Sequence, residues 1–188
     1  MVKEKNQLRI GVLLSYINLG ISCIIPFVYT PIMLRILGQS EYGLYSLANS
    51  VISYLTLLTF GFGSTVIRYL SKYRAEDNKE GVEKTFGLFL ELYSIAALIV
   101  LIVGIFISFN VKEIFHRGLT GDEINKIHVL ILIMTFNTAL SFPLSVFSSV
   151  ITSYERYIYR KVIDMISTVA APIFNLIALY MGFASIGM

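Results

Sequence analysis

The chain has little charge: only 14% of its 188 residues are Asp, Glu, Lys or Arg, against about 25% in ordinary soluble domains. That scarcity excludes a fold wetted on all sides. Its one cysteine, Cys23, sits inside an apolar run, which excludes both a disulfide framework and a Cys/His metal set. The two histidines, His116 and His128, stand in different contexts without companion ligands. There is no G-x-x-x-x-G-K-[ST] loop and no H-E-x-x-H pair, so no ATP-driven engine is encoded and no enzyme is expected. No catalytic residue, cofactor or metal is assigned. The net charge of +3 is not gathered into a basic nucleic-acid face, so nucleic acid is not expected as a partner.

What the chain has instead is hydrocarbon-like sequence. Hydrophobic residues make up 56% of it, and the mean hydropathy is +0.74. Five charge-free stretches stand out: Ile10–Leu34, Tyr42–Ile67, Leu92–Val111, Val129–Tyr154 and Met165–Met188. A hydrocarbon core of about 30 Å needs roughly 20 helical residues, and only helices or closed barrels satisfy their backbone within it. Barrel strands would alternate apolar and polar residues, whereas Leu98–Ile107 is apolar without alternation. The expectation is an all-α polytopic membrane protein with five spans, at about 10–34, 42–67, 85–111, 127–154 and 162–188. The first run is too long for a signal sequence and carries Pro26 and Pro31, so it reads as a retained span.

Lys and Arg at span ends set orientation. With the N-terminus inside, Lys3, Lys5, Arg9, Arg68, Lys72, Arg74, Lys79, Lys84, Arg156, Arg160 and Lys161 are inside, and Arg35, Lys112, Arg117 and Lys126 are outside. Eleven of the fifteen basic residues then face the cytoplasm. Between the first two spans Gly38 suits a left-handed C′ position, and Ser40 with Glu41 suits the start of the next helix. Thr120-Gly-Asp-Glu123 matches a capping box. Lys72–Gly81 is the most polar segment, and Tyr154–Lys161 interleaves aromatics with bases as an interfacial belt does. The chain stops at Ala184-Ser-Ile-Gly-Met188 without a polar flank and reads as interrupted.

Polar residues recur every three or four positions within the spans and so share helix faces. The stripes are Ser15, Asn18 and Ser22; Ser46, Asn49, Ser53 and Thr56; Thr138, Ser141, Ser145, Ser148 and Thr152; and Asp164, Thr168, Ala171 and Asn175. One reading is close helix packing through small and hydroxyl residues. The other is a hydrated cavity lined by the first, second, fourth and fifth helices, with the third turned to lipid. Ionisable groups within spans are costly and are functional candidates. Glu91 lies six residues past Thr85, about 9 Å along a helix, and reads either as an ion-coupling group or as a carboxylate reaching the interface or Lys84. Asp164, three residues past Lys161, reads as ion-coupling or interfacial. Arg35 and Arg68, at opposite helix ends, read as anchors or as phosphate ligands through the planar guanidinium fork.

The strings Pro26-Phe-Val-Tyr-Thr-Pro31, Arg35-Ile-Leu-Gly38, Glu41-Tyr-Gly-Leu-Tyr45, Gly61-Phe-Gly63 and Arg68-Tyr69 carry a family likeness. The chain resembles the N-terminal part of the polysaccharide-transporter family, the Wzx-like oligosaccharide flippases. That family sits within a superfamily that also holds multidrug extruders and lipid II flippases. The resemblance implies two six-helix bundles facing a central cavity, with alternating access moving a lipid-diphosphate-linked oligosaccharide between leaflets of the cytoplasmic membrane. It implies Arg35, Arg68, Asn18 and Asn49 as substrate-binding candidates and Glu91 and Asp164 as ion-coupling candidates. Its implied partners are the lipid-linked oligosaccharide and membrane lipids, and it leaves room for the polysaccharide polymerase machinery. A multidrug or small-molecule exporter and a non-transporting membrane subunit are the alternatives. Five spans of an expected dozen make an incomplete lobe, expected to insert but not to flip substrate alone.

The charge asymmetry makes a topological prediction. In intact cells a cysteine placed at Lys112 should react with an impermeant thiol reagent, and one placed at Lys79 should not. The reverse pattern would invert the topology.

Overall fold

A computed structural model of the chain describes residues 2–57, 62–115, 119–154 and 157–180. Helices are the only regular structure among them: α1 (Val2–Thr56), α2 (Phe62–Ala75), α3 (Lys79–Phe109), α4 (Val111–Ile114), α5 (Gly121–Ser153) and α6 (Tyr157–Tyr180). Four are long and apolar enough to cross a membrane: α1 from Gly11 onward, α3, α5 and α6 from Ile158 to Leu179. Because α1 is two helices merged across a break at Gly38, the described residues carry four to five such segments. It is a polytopic all-α membrane protein. Gly61, His116, Arg117, Arg156 and the terminal stretch from Ala184 to Met188, all singled out above, lie outside the described residues.

Gly38 takes φ 81° and ψ 167°. The positive φ matches the expected C′ glycine, but ψ is extended rather than left-handed helical. That region is accessible essentially only to glycine. Within the second apolar stretch the described chain is helical up to Thr56 and again from Phe62.

The chain divides into two compact units, Gly43–Tyr154 and Met1–Tyr42 with Glu155–Met188. In the first, α3 packs most extensively on α5, and α2 packs against both. Helix α2 ends in a Schellman motif. The Asn78 N–H donates to the Tyr73 carbonyl at 2.9 Å and the Asp77 N–H to the Arg74 carbonyl at 3.1 Å, with Asp77 at the positive φ of 51° that the C′ position requires. Asn78 then caps α3, its Oδ1 accepting the Gly81 N–H at 2.8 Å. The polar segment from Lys72 to Gly81 is therefore a tight helical hairpin. At the other end of the unit the expected capping box starts α5, where the Glu123 carboxylate accepts from the Thr120 N–H and hydroxyl, both at 2.9 Å.

The α3–α5 seam is built from small side chains. Helix α3 buries Ala96, Ala97, Val100, Gly104 and Ser108, and α5 buries Ile131, Thr135, Ala139, Val146 and Ser149. A Cβ at Gly104 would overlap the Thr135 side chain, so the two backbones approach as closely as glycine permits. Polar ties lie near both ends of α5, one across the seam to α3 and one to α2. At one end the Ser108 hydroxyl donates to the His128 carbonyl at 2.9 Å, and His128 Nδ1 donates to the Ser108 carbonyl at 2.7 Å. At the other, the Arg74 guanidinium donates to the Ser153 carbonyl at 2.6 Å and lies 5.2 Å from the Tyr154 ring centroid. Helix α3 is thus central to this unit. The reading that turned it wholly outward does not fit this packing, and one face stays exposed, the row Leu88, Leu92, Ile95, Leu98, Ile102 and Phe106.

The other unit contains the first part of α1 and α6. Pro26 and Pro31 lie inside α1, and Pro172 lies inside α6. Each removes a backbone N–H and frees the carbonyl four residues earlier.

The closeness of the seam is testable. Gly104→Ala should lower the thermal unfolding temperature in detergent by the equivalent of about 1–3 kcal/mol, the usual cost of overpacking. Thr135→Ala in the same chain should recover part of the loss. Unchanged unfolding of Gly104→Ala would mean the helices separate there at no cost.

Candidate functional site

The two parts of the second apolar stretch each present one apolar and one polar face. In residues 43–56, Leu44, Ala48, Ile52 and Leu55 point inward, while Ser46, Asn49, Ser53 and Thr56 are exposed. In α2, Val66 and Leu70 are buried. Arg68 is two residues from each, about 200° around the helix, and is exposed. The apolar sides converge: Ile52, Leu55, Val66 and Leu70 share one core cluster with Phe89 and Tyr93 of α3 and Phe142 of α5. The polar sides face away from that cluster.

Hydroxyls along these faces bond within their own helix. Ser50 donates to the Ser46 carbonyl and Ser53 to the Asn49 carbonyl, both at 2.8 Å, and Thr56 donates to the Ser53 carbonyl at 2.7 Å. The same pattern runs down α5, where Ser141 donates to the Thr138 carbonyl at 2.7 Å, Ser145 to Phe142 at 2.6 Å and Thr152 to Ser148 at 3.0 Å. Such back-bonding satisfies the hydroxyl proton without a second helix and leaves oxygen lone pairs available. Gly104 and Thr135, which belong to none of these stripes, lie at the α3–α5 seam.

Asn49 and Arg68 differ from the hydroxyls. Neither side chain has a polar partner among the described residues. An unpaired guanidinium on a lipid-facing surface is costly, whereas on a polar face it keeps water and its full set of donors. The outer face of α3 is the contrast, with Glu91 the one charged group in a row of aliphatic residues from Leu88 to Ile102. Glu91 is exposed and does not pair with Lys84, which instead bonds Glu80 one turn earlier at 2.7 Å. A partner seven residues away is beyond the i, i+4 spacing at which helical side chains meet.

The remaining candidates lie in the other unit. Arg35 is exposed, and Asn18 is half-buried with its Oδ1 inaccessible and unpaired among the described residues. The Asp164 carboxylate accepts from Arg160 Nε at 3.3 Å, with both side chains about one-third exposed (34% and 33%). That neighbour already balances its charge. Among the described residues no hydrogen bond or ion pair joins any two of Asn49, Arg68 and Glu91 within their unit, or any two of Asn18, Arg35 and Asp164 within theirs. No three His, Cys, Asp or Glu side chains gather there as a metal site.

Two polar ties were not anticipated from the sequence. Arg74 counted only as one of many cytoplasmic bases, yet it caps the last turn of α5, where free carbonyls and the helix dipole favour a cation. No local signal links it to a carbonyl 79 residues away. His128 looked isolated because its partner Ser108 is 20 residues distant on another helix.

Comparison with known proteins gives one match. A family model described as "Polysaccharide biosynthesis protein" covers residues 9–186. No curated protein and no solved structure matches the chain. Because the family match runs through every span-length helix rather than resting on one motif, the chain belongs to the polysaccharide biosynthesis protein family.

Proposed function

We propose that this protein takes part, as one lobe and not by itself, in moving a lipid-diphosphate-linked oligosaccharide across the cytoplasmic membrane, with its N-terminus in the cytoplasm. The observation that carries the reading is the exposed polar face of the second apolar stretch, with Asn49 and Arg68 unpaired among the described residues. A glycan cannot enter hydrocarbon, so its carrier needs a hydroxyl-rich, water-accessible path, while the substrate's lipid tail stays in the bilayer. Serine and threonine hydroxyls whose protons are already committed to their own helix still offer acceptor lone pairs to sugar hydroxyls.

The diphosphate is the most strongly charged part of such a substrate. Arg68 and Arg35 are suited to it because the guanidinium fork engages phosphate oxygens in pairs, which a lysine ammonium does not reproduce. Asn49 suits the sugar, having both donors and an acceptor on one amide. Glu91 is the candidate for ion coupling over Asp164, whose charge Arg160 already compensates.

The test is export of lipid-linked glycan in cells that depend on this protein. Arg35→Lys and Arg68→Lys should each reduce export while membrane abundance stays level. Replacing both with alanine should reduce it roughly tenfold or more, given about 1.5–3 kcal/mol for a hydrogen bond to a charged group. Undiminished export by the double alanine protein would reduce both residues to interface anchors and sink the reading.

A further inference from the structure

We infer that the groove between α2 and α3 is a binding site for a zwitterionic aminophospholipid of the surrounding leaflet, separate from the polar face proposed for substrate. The groove has a volume of ≈ 390 Å³ and is lined by Tyr69 and Tyr73 of α2 and Lys84, Thr85, Leu88 and Phe89 of α3. It adjoins a second cavity of ≈ 250 Å³ that shares Tyr73, Lys84 and Thr85 and adds Asn78, Glu80 and Gly81. All of these residues lie within one compact unit.

Polarity changes in order along this pair of cavities. Glu80 stands at the start of α3, Lys84 and Thr85 one turn deeper, and Leu88 and Phe89 a further turn in. One turn is about 5.4 Å, so within some 11 Å the lining passes from carboxylate, through ammonium and hydroxyl, to aliphatic and aromatic carbon. That is the polarity profile of an amphiphile standing in its leaflet. The deep end is open: Leu88 is 55% exposed and Tyr69 46%. A phospholipid acyl chain covers such carbon while its head remains with Lys84 and Glu80.

The charge pattern selects the head group. Lys84 Nζ and the Glu80 carboxylate lie 2.7 Å apart, and both side chains are 76% exposed, so each is free to exchange its partner. A phosphate next to a primary ammonium complements this pair in both signs. The phosphate takes Lys84 and the ammonium donates to Glu80. Tyr73 adds a phenol, and the Asn78 amide keeps its two N–H donors because only its Oδ1 is used in capping α3. A choline head has no N–H to donate to Glu80. A glycerol head leaves Glu80 facing a net anion. The occupant that satisfies both charges is therefore an ethanolamine-type phospholipid.

The chain has no tryptophan, so Tyr69→Trp introduces a single fluorescent reporter in the groove. Reconstituted into liposomes with brominated acyl chains, it should be quenched by phosphatidylethanolamine in preference to phosphatidylcholine or phosphatidylglycerol. The expected preference is about fivefold in relative binding, the scale of one added charge contact at a membrane surface. Leu88→Trp, a reporter from the facing helix, should show the same order, and Leu98→Trp, in the same exposed row of α3 but ten residues beyond Leu88 and outside the groove lining, should show none. Adding Lys84→Gln with Glu80→Gln should abolish the preference. Equal quenching by the three lipids, stronger quenching by phosphatidylglycerol, or a preference that survives the double glutamine change would each overturn the assignment. Glycan export does not enter this measurement, so its outcome is independent of the transport reading.

Discussion

The packing of α3 against α5 cannot draw on the hydrophobic effect, because the lipid tails that would replace the contact are as apolar as leucine. What remains is close approach and hydrogen bonding, and the seam uses both. Gly104 admits the Thr135 side chain where any Cβ would collide with it, so dispersion contacts form at short range along the middle of the two helices. Ser108 with His128 closes one end, and Arg74 ties α2 to the last turn of α5 at Ser153. Helix α2 then has a preformed surface on which to lay Val66 and Leu70, and the second apolar stretch is held with its apolar side in and its hydroxyl side out.

This arrangement divides the exposed surface of the unit by helix. The outer face of α3 is aliphatic and suited to lipid, while residues 43–56 and α2 carry serine, threonine, asparagine and arginine outward. Both kinds of surface occur within one compact unit of a polysaccharide biosynthesis family member.

The class of fold was legible because long apolar runs without alternation admit only helices in a bilayer. Local backbone chemistry was legible as well: Gly38 has the positive φ expected of it, and Thr120 with Glu123 forms the capping box read from four residues. Two features were not. The ties of Arg74 and His128 join residues far apart in sequence, and which carbonyl a cation reaches depends on where another helix ends. Lys84 had carboxylates available on both sides, and helix spacing chose Glu80 over Glu91. For the candidate site, composition and periodicity indicated which residues share a face. The direction of each face depends on which neighbours pack behind it.

The serines and threonines that bond to their own helices bear on how the protein is made. A hydroxyl that has already met its acceptor three or four residues back carries no outstanding demand when its segment leaves the insertion machinery for lipid. Each such hydroxyl therefore adds little to the cost of its segment's entry into the bilayer, whereas an amide such as that of Asn49 still awaits a partner. Sorting into neighbours is deferred to contacts, such as those of Gly104 and Arg74, that come into being only when a second helix arrives.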